Sequence, residues 1–116
     1  VIDPSGLEMQ AQGGIGSASL DTATFEEHII DPGTGRTMTY DMIEYKWRPF
    51  NEFPKYETCF MESQFDTFQF KATGVGEIAG AAAASATMQA ISNAIGVQVA
   101  TYPATPDVIL KALGKI

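Results

Sequence analysis

The sequence predicts an α+β fold in which helices pack on one small mixed sheet. Three observations carry this reading: turn chemistry at Asp31–Arg36 between two short apolar runs, a helical stretch ending at Ile95, and a strand-like run, Val97–Tyr102, between two helical patterns. The order helix, hairpin, strand, helix, strand, helix mixes antiparallel and crossover connections, the pattern of helices laid on a sheet. A chain of 116 residues fits one domain with one modest core, burying roughly two-thirds of its unfolded surface. No internal repeat and no boundary is visible, so residues 1–116 read as one unit.

From Leu7 to about Thr24 the chain is rich in Ala, Ser and Gly, with Gly13, Gly14 and Gly16 in the middle. A helix here loses about 1 kcal/mol per glycine relative to alanine, which suggests that another element approaches it closely. Phe25–Ile30, the turn Asp31-Pro32-Gly33-Thr34-Gly35-Arg36 and Thr37–Tyr40 read as a hairpin, since Pro and Gly supply the φ values of a tight reversal. Asp41–Pro54 holds Tyr45, Trp47, Phe50 and Phe53 between and around Pro49 and Pro54, the composition of an irregular connection. Tyr56–Glu62 alternates like a strand without distinguishing its two faces, and Ser63–Gly76 has no strong period.

A helix is predicted over Glu77–Ile95, with Ile78, Met88, Ile91 and Ile95 on one side and Gly96 as its stop. Thr105-Pro106-Asp107 supplies an N-cap, a proline at the first helical position and an acid in the first turn, opening a last helix to Leu113.

Hydrophobic residues at 45% and charged residues at 18% place the chain in the globular class. The net charge of -7, with only 7 basic residues, argues against nucleic acid or an anionic membrane as partner. Ser85, Thr87, Gln89, Ser92 and Asn93 interrupt the apolar stretch Ile78–Ile95, so no transmembrane helix is predicted. One cysteine, Cys59, and one histidine, His28, cannot form a disulfide framework or a four-ligand zinc site. Cys59 reads as a buried, inert thiol and His28 as an ordinary strand residue; a reducing, cytoplasmic setting is the simpler reading. The start Val1-Ile2-Asp3-Pro4 lacks an initiator Met and a basic leader and reads as mid-chain, so a fragment or processed chain is expected.

The main candidate for chemistry is Lys71-Ala72-Thr73-Gly74-Val75-Gly76-Glu77. Glycines let a backbone touch a bound group, and a helix N-terminus presents unpaired N–H donors that hold an anion. Taken alone, ordinary capping and loop chemistry is the favoured account of Gly-x-Gly-Glu.

The whole pattern says more. Glu8-Met9-Gln10-Ala11-Gln12-Gly13-Gly14, Glu26-Glu27, Asp31–Arg36, Tyr45-Lys46, Gly74–Glu77 and Pro103-Ala104-Thr105-Pro106 together resemble the C-terminal part of the molybdopterin-binding large subunit of molybdenum hydroxylases, the xanthine dehydrogenase and aldehyde oxidoreductase family. The likeness covers essentially the whole chain. It implies a molybdenum–molybdopterin cofactor in the intact enzyme, Glu77 as general base, and cofactor contacts from Gln10, Gly13, Gly14, Gly74, Val75 and Gly76. It further implies oxidation of an aldehyde or an N-heterocycle such as xanthine with oxygen from water. The partners implied are the remainder of the subunit, 2Fe-2S clusters and, in many members, FAD on other domains or subunits. A chain holding only this part should be inactive alone.

The sequence departs from the family pattern in two places. Gly16-Ser17-Ala18-Ser19-Leu20 stands where a Gln-Gly pair and a further glycine are usual, and the register to Glu26-Glu27 reads one residue longer. Ile78 follows the glutamate where proline is frequent. The alternative function is a non-catalytic subunit-packing or interaction module, in which the glycines serve association alone. The aromatic residues Tyr45, Trp47, Phe50 and Phe53 suit inter-domain packing better than a substrate channel, and some of these rings should be exposed.

Overall fold

The computed structural model of the chain describes residues 1–62 and 69–116. It is a helical assembly: α1 (Pro4–Ile15), a π-helical turn (Gly16–Leu20), α2 (Asp21–Thr24), α3 (Ala83–Ile95) and α4 (Pro106–Ala112), with short 3-10 turns at Phe50–Glu52 and Gln69–Lys71. The predicted mixed sheet is absent among the described residues, where β-pairing amounts to one antiparallel bridge between Ile30 and Thr37. The α+β expectation is therefore corrected to a helix-rich fold.

Each predicted strand fails for a reason that can be located. Around Asp31–Arg36 the reversal forms as predicted: the Asp31 and Arg36 backbones pair at 2.9 Å, and Asp31 Oδ1 accepts the Gly33 N–H at 2.9 Å. Beyond Met38 N–H to Ile29 O at 2.8 Å, however, the Ile29 N–H goes to the Thr39 hydroxyl, so a side chain replaces the next rung of the ladder. Residues 56–59 keep the predicted alternation, Tyr56 and Thr58 half-buried against exposed Glu57 and Cys59, but Phe60, Met61 and Glu62 are all exposed, and no strand lies beside them among the described residues. In Val97–Tyr102 the buried Val99 N–H is taken by Ser92 Oγ at 3.0 Å. An isolated strand must satisfy its backbone somehow, and side chains do so here. Cys59, expected to be buried, is exposed, as is His28. Residues 63–68, part of the segment read as lacking a period, lie outside the described residues.

The helices follow their sequence signals more closely. α1 starts ahead of the expected Leu7: Asp3 caps it, accepting the Gly6 N–H at 3.0 Å, and Pro4 occupies the first turn. At α4 only the proline position repeats this: Thr105 stands at the N-cap but makes no side-chain cap bond, its hydroxyl donating to Asp107 Oδ1 instead. α3 ends at Gly96 in the left-handed region, φ 72°, as the stop residue requires. Its start is later than Glu77: residues 78–82 form turns, closed by Gly80 N–H to Glu77 O at 3.1 Å.

The core is small. Ala23, Met88, Val99 and Ala104 are buried, flanked by Ala84, Ile91, Ile95, Val108, Ile109 and Ala112 from α3 and α4. The Ala104 N–H donates to Ala23 O at 2.7 Å and ties the α4 approach to α2. The radius of gyration is 17.8 Å, against about 13 Å for a compact domain of this length. Much apolar surface stays in solvent: Met42, Ile43, Phe50 and Met61 are 80–93% exposed. No helix among the described residues is long and apolar enough to cross a membrane.

Candidate functional site

The N-terminal helix and the glycine loop, far apart in sequence, are brought together. Gln10 Nε2 donates to the Gly76 carbonyl. One turn on, Gly14 lies against the segment after Glu77: a Cβ there would sit 3.1 Å from Gly80 N and 3.2 Å from Ala79 Cβ. Further on, Ser19 Oγ donates to Gly80 O at 2.5 Å. The expectation that something approaches the glycine-rich segment closely is met twice: residues 76–80 lie against Gln10, Gly14 and Ser19, and Phe53 and Tyr56 crowd Gly16.

The predicted site residues divide accordingly. Gln10 and Gly76 touch, and Gly14 packs one turn away. Gly13, Gly74 and Gly76 are exposed, and a Cβ on any of them would meet nothing within 4 Å. Val75 is half-buried and Glu77 exposed. Because α3 begins at Ala83, Glu77 does not stand in the first turn of that helix, and the helix dipole does not act on the loop as the sequence suggested.

One charged cluster was not anticipated. Asp21, fully buried, accepts Arg48 Nε at 2.8 Å on Oδ1 and the Arg48 backbone N–H at 3.4 Å on Oδ2. Arg48 Nη2 donates to Thr24 Oγ1 at 3.0 Å, and its guanidinium lies 4.9 Å from the Phe25 ring centre. Burial pushes the nearby Tyr56 phenol above its usual range, with Arg48 pulling it down and Asp21 adding to the rise. The Tyr56 hydroxyl has no hydrogen-bond partner among the described residues. The sequence did hold a signal: Arg48 is a lone charge inside Trp47-Arg48-Pro49-Phe50, where a cation among apolar residues needs a carboxylate.

No three His, Cys, Asp or Glu residues are grouped to hold a metal ion among the described residues. An open groove lined by Glu27, Lys46, Tyr102, Pro103 and Asp107 contains none of the predicted site residues.

No protein-family model matches the chain. The aldehyde oxidoreductase molybdenum-binding subunit PaoC of Escherichia coli is 29% identical over 114 residues, covering 97% of this chain and 15% of that protein. A xanthine dehydrogenase molybdenum-binding subunit of Escherichia coli is 30% identical over 106 residues, 91% of this chain and 14% of that protein. The chain thus spans a small part, 14–15%, of the curated relatives it matches. It is accordingly a relative, over nearly its whole length, of one segment of the molybdenum-binding subunits of aldehyde oxidoreductase and xanthine dehydrogenase.

Proposed function

We propose that this chain forms part of the molybdenum cofactor pocket of an oxidoreductase subunit and presents Glu77 as the general base. The observation that carries the reading is the hydrogen bond from Gln10 to the Gly76 carbonyl, which joins two family-like motifs beside Glu77. The residues present fit such a cofactor. Gly13, Gly74 and Gly76 offer backbone with open space above it, so that a bound group can approach closely. The Gln10 amide nitrogen carries a second N–H that can donate to cofactor oxygens. Val75 stands with the glycines in the cofactor wall.

When bound, the molybdenum cofactor supplies two-electron redox chemistry, and the protein supplies binding, orientation and proton transfer. Glu77, at the rim of the loop, holds the proton removed from the water-derived oxygen at its carboxylate. The substrate class is an aldehyde or an N-heterocycle such as xanthine. The remainder of the subunit completes the pocket and covers the exposed Met42, Ile43, Phe50 and Met61. Iron–sulfur partners, joined in many members of the family by FAD, carry electrons away.

Glu77→Gln in the intact enzyme tests the reading. Removing a general base lowers turnover by about 10²–10⁴-fold, with molybdenum content unchanged. Turnover near the parent level in a fully loaded variant sinks the assignment.

A further inference from the structure

We infer that Ser19 is a positioning residue for Glu77, an inference that rests on reading Glu77 as the base. Gly16–Leu20 is the stretch where the sequence departs from the family pattern, its register reading one residue longer. The chain winds this stretch into a π-helical turn. A π turn closes i to i+5 and so accommodates one residue more than an α turn without ending the helix.

What the extra residue achieves is visible at Ser19. It is 3% exposed, and its hydroxyl donates to the Gly80 carbonyl at 2.5 Å. Gly80 in turn closes the turn that begins at Glu77, through its N–H to Glu77 O at 3.1 Å. The fit leaves little freedom, since a Cβ on Gly80 would stand 3.2 Å from Ser19 Oγ and 3.3 Å from Gly14 O. On the other side of Glu77, the Gly76 carbonyl is held by Gln10. The Glu77 backbone is therefore held on both sides by the N-terminal helical segment, one hold at Gln10 and one at Ser19, while its side chain stays exposed. Fixing the backbone sets the point from which the exposed Glu77 side chain swings, and so bounds where its carboxylate can reach. Ser19 acts through Gly80 and touches no reacting atom.

The test uses the intact, cofactor-loaded enzyme with Ser19→Ala, Ser19→Thr and Glu77→Gln, and amide hydrogen exchange over residues 77–83 in loaded and cofactor-free protein. Ser19→Ala is expected to lower kcat by about tenfold or more with KM little changed. It should also displace the acid limb of the pH profile and speed exchange over 77–83 in both forms. Ser19→Thr, which keeps the hydroxyl, should restore all three. Parent-like kcat, pH profile and exchange in Ser19→Ala overturn the inference. An active Glu77→Gln sinks the base reading itself, whereas an inactive Glu77→Gln beside a parent-like Ser19→Ala sinks the role of Ser19 alone.

Discussion

Replacing Arg48 with alanine leaves the Asp21 carboxylate in a site with no solvent access and no cation beside it. The side chains of this pair are 0% and 11% exposed, and their N–O distance is 2.8 Å. Breaking a buried pair by removing one partner costs about 3–5 kcal/mol, because the remaining charge keeps its desolvation penalty and loses its compensation. The Arg48 donation to Thr24 and the stacking on Phe25 go with it, but those losses overlap with the first and are not added. Local opening is read at single amides, so the assay is amide exchange at Phe25 and Glu26, whose N–H groups both donate to Asp21 O at 2.7 Å. At 1.4 kcal/mol per tenfold, their exchange should quicken roughly a hundred- to several-thousandfold. Arg48→Lys should fall between, since an ammonium cannot reach Asp21 and Thr24 in the same forked geometry. The double change Asp21→Leu with Arg48→Met should recover much of the loss. Acceleration of less than about tenfold in Arg48→Ala refutes the reasoning, because it means that water reaches the carboxylate.

Two further predictions concern the C-terminal half. The Thr105 hydroxyl and then Lys111 hold the Asp107 carboxyl at about 2, below its ordinary 3.8. A lowered carboxylate pKa stabilises the folded form above pH 3.8 and loses that contribution as pH falls toward 2. NMR titration should find Asp107 still ionised at pH 3, and Thr105→Ala should move its midpoint upward; an unmoved midpoint refutes the assigned cause. Ser92→Ala leaves the buried Val99 N–H without its 3.0 Å acceptor, at a cost of about 1–3 kcal/mol. Faster exchange at Val99 with little change in α1 is the expected result.

Several elements were legible because their causes are local. Gly96 ends α3 since only a residue without Cβ takes φ 72° cheaply. Pro106 fits the start of α4 because its missing N–H is not needed there, and Asp31 builds its turn from side-chain oxygens within three residues. The same local logic holds at Asp3-Pro4, where the aspartate caps α1 and the proline takes its first turn. The motifs spread along the whole chain, and not the loop Gly74–Glu77 alone, suggested the family that the relatives support.

What depends on distant partners could not be read in this way. A period of two says that a segment can be a strand, but a sheet exists only where another strand meets its N–H and C=O groups. Here Ser92 and Thr39 side chains met them instead. The start of α3 was decided by Gly80, which serves as a contact for Gly14 and Ser19 and not as a helical residue. Arg48 among apolar neighbours called for a carboxylate, but only the fold, which buries the pair together, shows that Asp21 supplies it. The sequence by itself determined the Asp31 turn, the Gly96 stop and the proline start of α4, all set by interactions within a few residues. Only the tertiary structure decided that α1 and the π turn hold the Glu77 loop, because those contacts join residues some sixty positions apart.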